Sequence, residues 1–209
     1  MLKNFAAICA ALVLSGCAGM SKDECLYADW RAIGYEDGAA GLPVSAVSER
    51  RSVCARKAGV TVDMAEYTSG RTQGLELYCE PSRAFAVGSG GQTYHGVCSG
   101  PGEAEFTSAY QAGRQLFVLE RAVAEIENDI RQAHNDLNGV ERHITDVQAA
   151  LIAPSSTVEE RVQYVADLKA YSEDKGNIEV AIVALNRDHV RAQEELRDYQ
   201  DYLAVNGPY

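Results

Sequence analysis

From Leu116 the apolar residues recur at alternating steps of three and four: Leu116, Leu119, Val123, Ile126, Ile130, Ala133, Leu137, Val140, Ile144, Val147 and Leu151. Polar and charged residues fill most of the intervals. That spacing places every apolar residue on one stripe of a long helix and is the heptad signature of a coiled coil. Pro154-Ser155-Ser156-Thr157 interrupts it, and Thr157 with Glu160 has capping-box spacing for a second helix. The same alternation then runs through Tyr164, Leu168, Tyr171, Lys175, Ile178, Ile182, Leu185, His189, Ala192, Leu196, Tyr199 and Leu203. Two helices of about equal length joined by so short a link are antiparallel neighbours. The pattern therefore predicts an antiparallel coiled-coil hairpin over 103–206, with its turn near 153–157. Lys175 and His189 interrupt the second stripe. Folding the chain about residue 155 sets Lys175 against Asn135 and Asp136, with Asp136 as its expected ion partner, and His189 against Glu120 and Arg121.

The part before residue 103 has another texture, rich in Gly, Tyr and Cys. Three stretches resemble one another: DWRAIGYEDGAAG at 29–41, AEYTSGRTQGLELYC at 65–79 and SAYQAGRQLFVLE at 108–120. Each has an aromatic three or four residues before a glycine: Trp30 before Gly34, Tyr67 before Gly70, Tyr110 before Gly113. Gly38 and Gly74 repeat the glycine one helical turn later, so the glycines share a helix face that admits another backbone closely. Each glycine costs about 1 kcal/mol against alanine inside a helix, so packing must compensate. Asp63 and Glu66 have capping-box spacing, and Pro43 to Gly59 reads as a short helix with a glycine stop. Between Cys79 and Cys98, turn residues flank short AFAV and TYHGV runs, which predicts a loop or small β-hairpin. The fold class expected is mainly α: a small helical lobe over 22–102, then the long hairpin.

The first residues change the picture. Lys3 precedes an uncharged apolar run from Phe5 to Leu14, too short to span a bilayer, which needs about 20 residues. Its length suits the core of a signal peptide over 1–16. Leu14-Ser15-Gly16-Cys17 resembles the lipobox of bacterial lipoproteins. That resemblance implies cleavage before Cys17, lipid on its thiol, and a lipidated linker over 17–21. Ala18, where enteric sorting would place Asp for inner-membrane retention, points to the outer membrane, here taken as facing the periplasm.

Six cysteines then divide cleanly. Cys9 leaves with the signal and Cys17 carries lipid. Cys25, Cys54, Cys79 and Cys98 remain, an even number in an oxidising compartment, which reads as two disulfides. Three pairings are open. Cys25–Cys54 with Cys79–Cys98 is favoured, because each closes a short loop that contributes on the order of 3 kcal/mol. No C-x-x-C spacing or Cys/His zinc spacing occurs, so neither metal nor cofactor is expected.

The lobe also carries a specific resemblance. C-x-x-A-D-W-R-x-I-G-Y-E-D-G from Cys25, Y-x-x-G-R-x-x-G-L-x-x-Y-C from Tyr67, G-x-x-Y-x-G-V-C from Gly91 and Y-x-x-G-R from Tyr110 resemble the bacterial lipoprotein family catalogued as domain of unknown function 2799. The resemblance covers about residues 22–120. It implies an envelope lipoprotein and brings no catalytic residues with it.

Charge and motifs narrow the function classes. From residue 105 onward there are 10 basic and 19 acidic residues, and the whole chain has a formal net charge of −11. Without a basic patch, neither nucleic-acid binding nor an electrostatic grip on anionic lipid is expected. His95, His134, His143 and His189 show no i, i+4 pairing or H-E-x-x-H motif. Gly88-Ser89-Gly90-Gly91 lacks the Lys-Ser/Thr of a phosphate loop, and Ser172-x-x-Lys175 lies within the coiled coil without the partner motifs of penicillin-binding enzymes. Asp29, Glu36, Asp37, Arg71 and Arg114 form a candidate polar cluster tying the repeats together. Tyr27, Tyr35, Tyr67, Tyr78 and Tyr94 suit either a small core or a sugar-stacking surface. The expected role is a non-catalytic envelope lipoprotein, held in the membrane through Cys17, whose acidic hairpin meets an envelope protein or the cell wall. The alternatives are a glycan- or peptide-binding lobe and an envelope enzyme centred on His95. Heptads of this kind also permit self-association.

Overall fold

The computed structural model describes residues 20–207. Residues 1–16, read above as a signal peptide, and Cys17 lie outside the described residues. The described chain is helical, with no strand: α1 (Lys22–Leu26), α2 (Trp30–Ala39), a 3-10 turn (Val44–Ala46), α3 (Val47–Ala58), α4 (Met64–Tyr78), α5 (Pro81–Ser89), α6 (Glu103–Ile152) and α7 (Val158–Asn206). It divides into two compact units, the first up to Gly113 and the second from Arg114. The boundary between these units falls after the first turns of α6.

The first unit is organised by glycine. Asp29 caps α2 by accepting from the Ala32 amide, and Asp63 caps α4 by accepting from Ala65 and Glu66. These two helices run side by side in the same direction, backbone against backbone. A Cβ added at Gly34 would sit 2.0 Å from the Tyr67 carbonyl oxygen, and one at Gly38 would sit 2.2 Å from that of Arg71. Conversely, Gly70 meets the Arg31 carbonyl at 1.9 Å and Gly74 that of Tyr35 at 2.1 Å. No side chain fits there, so four glycines on two helices are required for one contact. Two disulfides brace the unit, Cys25–Cys54 and Cys79–Cys98, in the pairing the loop lengths favoured. Cys25 and Cys54 lie in a core with Trp30, Val47, Val62 and Tyr67. Cys98 lies in a second core with Tyr78, Ala84, Val87, Phe106 and Ala109.

The stretch expected as a loop or β-hairpin is corrected. Its AFAV run lies in helix α5, which starts with Pro81 in its first turn, where a missing N–H costs nothing. Once α5 is in place, the three related stretches become four. The end of α2 is closed by amide-to-carbonyl bonds Ala40→Glu36, Gly41→Gly38 and Leu42→Asp37; α5 is closed by Gly90→Ala86, Gly91→Gly88 and Gln92→Val87. Every partner is offset by fifty positions. Gly41 and Gly91 both take the left-handed conformation, at φ 69° and 72°. The start of α6 follows α4 with an offset of 39. Gly74 abuts Tyr35, Gly38 and Ala39, while Gly113 abuts Phe85, Gly88 and Ser89 at distances within 0.1 Å of the first set. Arg71 donates to the Leu42 carbonyl, and Tyr110 to that of Gln92. Tyr67 and Phe106 are the matching buried anchors, both 0 % exposed. The first unit is therefore one helix pair built twice, each with its own disulfide.

In the second unit, α6 and α7 pack as the antiparallel hairpin the heptads predicted. They are 50 and 49 residues long, about 75 Å each at 1.5 Å per residue. The Thr157–Glu160 capping box forms as expected. All the stripe positions on both helices are half-buried, with Ile182 buried, and the residues between them are mostly exposed. The register differs from expectation. Lys175 pairs with Glu141 at 2.7 Å, not with Asp136, which instead accepts from Gln132. His189 meets Glu127 at 3.2 Å, not Glu120. The midpoint of both pairs is residue 158, not 155. The turn explains the shift. Ala153 and Ser156 make further turn bonds to Ala150 and Ala153, carrying the chain past the end of α6 before it reverses. Arg161 then reaches back to the turn carbonyls of Ala153 and Ser156, and the Ser156 hydroxyl donates to the Ala150 carbonyl in the last turn of α6.

Candidate functional site

Among the described residues of the first unit one charged group is buried, Asp37, 3 % exposed on α2. An ionised carboxylate there requires full pairing. Arg50 of α3 donates from both terminal guanidinium nitrogens, at 2.5 and 3.1 Å, and the Tyr67 hydroxyl donates to Oδ2 at 2.9 Å. The hydrogen bond to Asp37 holds the Arg50 guanidinium above its ordinary value. Burial, then the bond to Asp37, pushes the Tyr67 hydroxyl up to about 12. The equivalent positions in the second helix pair are Val87 and Phe106, both buried. The packing scheme is thus satisfied by apolar residues, and the polar trio is a feature of the first pair alone.

Beside the trio a shallow groove of about 590 Å³ is lined by Met20, Asp23, Glu24, Tyr27, Ala28, Ile33, Glu36 and Arg50. Its lining combines apolar side chains with charged ones. Met20 is fixed in place: its carbonyl accepts from Lys57 Nζ at 2.9 Å, and its side chain packs against the Cys25–Cys54 core. Ser21 caps α1 in a full capping box with Glu24, and that backbone bond holds the Glu24 carboxyl below its ordinary value. Tyr27, at the end of α1, is 86 % exposed.

The five residues proposed as a polar cluster are distributed otherwise. Asp29 caps α2, and Asp37 pairs with Arg50 and Tyr67. Glu36 lines the groove, and Arg71 donates to the Leu42 carbonyl at 2.8 Å. Arg114 belongs to the second unit, where its guanidinium lies 5.0 Å from the centre of the Phe117 ring. Of the five, Asp37 alone is buried. Arg50, the ion partner, was absent from the sequence-derived set. A signal for it existed: Arg50 lies one helical turn before Cys54, so the pairing of Cys54 with Cys25 turns Arg50 toward α2. Tyr67 and Tyr78 are core residues, whereas Tyr27 and Tyr35 are exposed. His95 is exposed in the segment after α5. Among the described residues, no three His, Cys, Asp or Glu side chains gather where a metal ion could be held.

In the second unit the chemistry lies on the helix surfaces. Two α6 glutamates, two heptads apart, flank the seam and meet Lys175 and His189, also two heptads apart on α7. The bond to Glu141 raises the Lys175 ammonium. Outside the seam, α7 exposes Val158, Val162, Val165, Val180, Val183 and Val190, each more than half exposed.

Compared with known proteins, residues 29–115 match the family model described as protein of unknown function (DUF2799). The match ends two residues after Gly113, so it covers most of the duplicated helix pair and stops where the second unit begins. No curated protein matches the chain, and no solved structure does. Among the described residues, no helix is long and apolar enough to cross a membrane.

Proposed function

We propose that this chain is a lipid-anchored envelope protein, outer-membrane and periplasmic, that acts without catalysis by presenting the α6–α7 hairpin to another envelope component. Cys17, with its lipobox-like approach, supplies the anchor. The two disulfides formed by the four other cysteines of the mature chain suit an oxidising compartment. The observation that carries the interaction role is the outer face of α7. Val158, Val162 and Val165 form one exposed apolar patch outside the seam, and Val183 and Val190 a second at equivalent heptad positions, with Lys169, Ser172, Gly176 and Glu179 between them. From Arg114 onward the surface carries 10 basic and 18 acidic residues. Apolar patches on an acidic helix pair fit a helical partner with apolar residues at matching intervals and basic flanks.

The test is crosslinking in intact envelopes from photoreactive residues at positions 162, 183 and, on the opposite unit, 73. The expected result is a discrete adduct from 162 and 183 that Val162→Glu with Val183→Glu removes, while the helical circular dichroism stays unchanged. Adducts from position 73 alone would transfer the role to the lobe and defeat the hairpin reading. Cys17→Ser is expected to move the protein from the membrane to the soluble fraction.

A further inference from the structure

We propose that the α1 face of the first unit lies against the phospholipid surface, with Tyr27 set in the headgroup layer. The inference rests on lipidation at Cys17 and adds an orientation to it. Three peptide steps separate Cys17 from Met20, and a fully extended chain spans about 3.3–3.6 Å per residue. The anchor and Met20 are therefore at most about 10–11 Å apart. Met20 is not the loose end of a linker. Lys57 holds its carbonyl and the disulfide core holds its side chain, so Met20 is part of the folded unit. The polar layer of a bilayer is about 5–8 Å deep on each side. A rigid body tied on so short a leash keeps the surface around Met20 within or at the edge of that layer.

What surrounds Met20 suits the position. Tyr27 lines the same groove. Among the described residues of the first unit, no other large apolar side chain is as exposed; Val44 follows at 53 % and Leu26 at 45 %. A tyrosine with an apolar ring and a polar tip is favoured at the membrane–water interface. Leu26 precedes it on α1. Charges near the groove are mixed, Asp23, Glu24 and Glu36 against Arg50 and Lys57, so the contact depends on the tether and the ring rather than on anionic lipid.

The experiment uses the full-length lipidated protein in phosphatidylethanolamine/phosphatidylglycerol vesicles, with lipids brominated high on their acyl chains as quenchers. Tyr27→Trp is compared with His95→Trp, an exposed position beside the second core, and with the wild type, whose single Trp30 gives the baseline. The expected result is quenching at position 27 at least about two-fold stronger than at position 95, with a blue-shifted emission. Vesicle flotation and the intact mass of the N-terminal peptide are measured in parallel. A protein that floats and carries acyl chains, yet is quenched equally at 27 and 95 or at neither, overturns the docking face and leaves the anchor standing. A protein without acyl chains that fails to float overturns both.

Discussion

At the residue scale, Asp37 shows what the duplicated packing scheme tolerates. Its second-pair counterpart is Val87, and the counterpart of Tyr67 is Phe106, both buried without polar atoms. Asp37→Val alone leaves the Tyr67 hydroxyl buried without its acceptor. It is expected to cost about 2–3 kcal/mol, measured by urea unfolding. Adding Arg50→Met and Tyr67→Phe is expected to recover at least about half of that loss, because it removes the unpaired polar groups and, at positions 37 and 67, reproduces the apolar residues of the second pair. Tyr67 also sets an alkaline limit. Its hydroxyl is held near 12 in the fold against 10 in the unfolded chain, so the neutral form is favoured by folding. That contribution is complete below pH 10 and is lost as pH rises through 12, on the order of 2 kcal/mol. Tyr67→Phe is expected to flatten the stability curve between those limits. None of this was legible from Asp37 itself, since the sequence grouped it with Asp29 and Glu36. Arg50 comes within reach through the packing of α3, which Val47 and the Cys25–Cys54 disulfide hold in the first core.

At the scale of elements, the same residue type plays opposite parts. Gly34, Gly38, Gly70 and Gly74 have no room for a methyl group, because the neighbouring helix backbone occupies it. Alanine at any of them is expected to destabilise by at least about 2 kcal/mol, despite its better helix propensity. Gly176 has nothing within 4 Å of an added Cβ, and Gly139 only the end of Arg142. There alanine is expected to stabilise by about 0.5–1 kcal/mol each and so to raise the melting temperature. Differential scanning calorimetry on the two sets separates the roles. The glycine stripe was visible in the sequence as spacing. Helix α5 was not, because a nine-residue helix containing Gly88 and followed by two glycines carries little periodic signal. Its packing against α6 at Gly113 stabilises it instead.

For the molecule as a whole, the two units draw on different sources of stability. The first has two disulfides closing loops of 29 and 19 residues' separation; the second has none. Each crosslink is worth on the order of 3 kcal/mol through the unfolded state. Dithiothreitol is therefore expected to unfold the first unit at moderate temperature while the second retains its long helices. Far-ultraviolet circular dichroism would then show two transitions where the oxidised protein shows a smaller separation. Loss of all helix in one step on reduction would contradict independent units.

The heptads alone determined two long antiparallel helices and the residues of their seam, because burial on a helix pair follows a period that can be read directly. Cysteine arithmetic favoured the disulfide pairing through loop length, and the glycine spacing announced a close helix contact. Tertiary structure decided the rest. The register centres on 158 because the turn overshoots the end of α6, which is a matter of backbone hydrogen bonds. The fourth copy of the repeat exists because Gly88 and Gly113 meet. Asp37 is ionic in the core because α3, hung on its disulfide, delivers Arg50. Each of these depends on contacts between residues distant in the chain, where no local period records the partner.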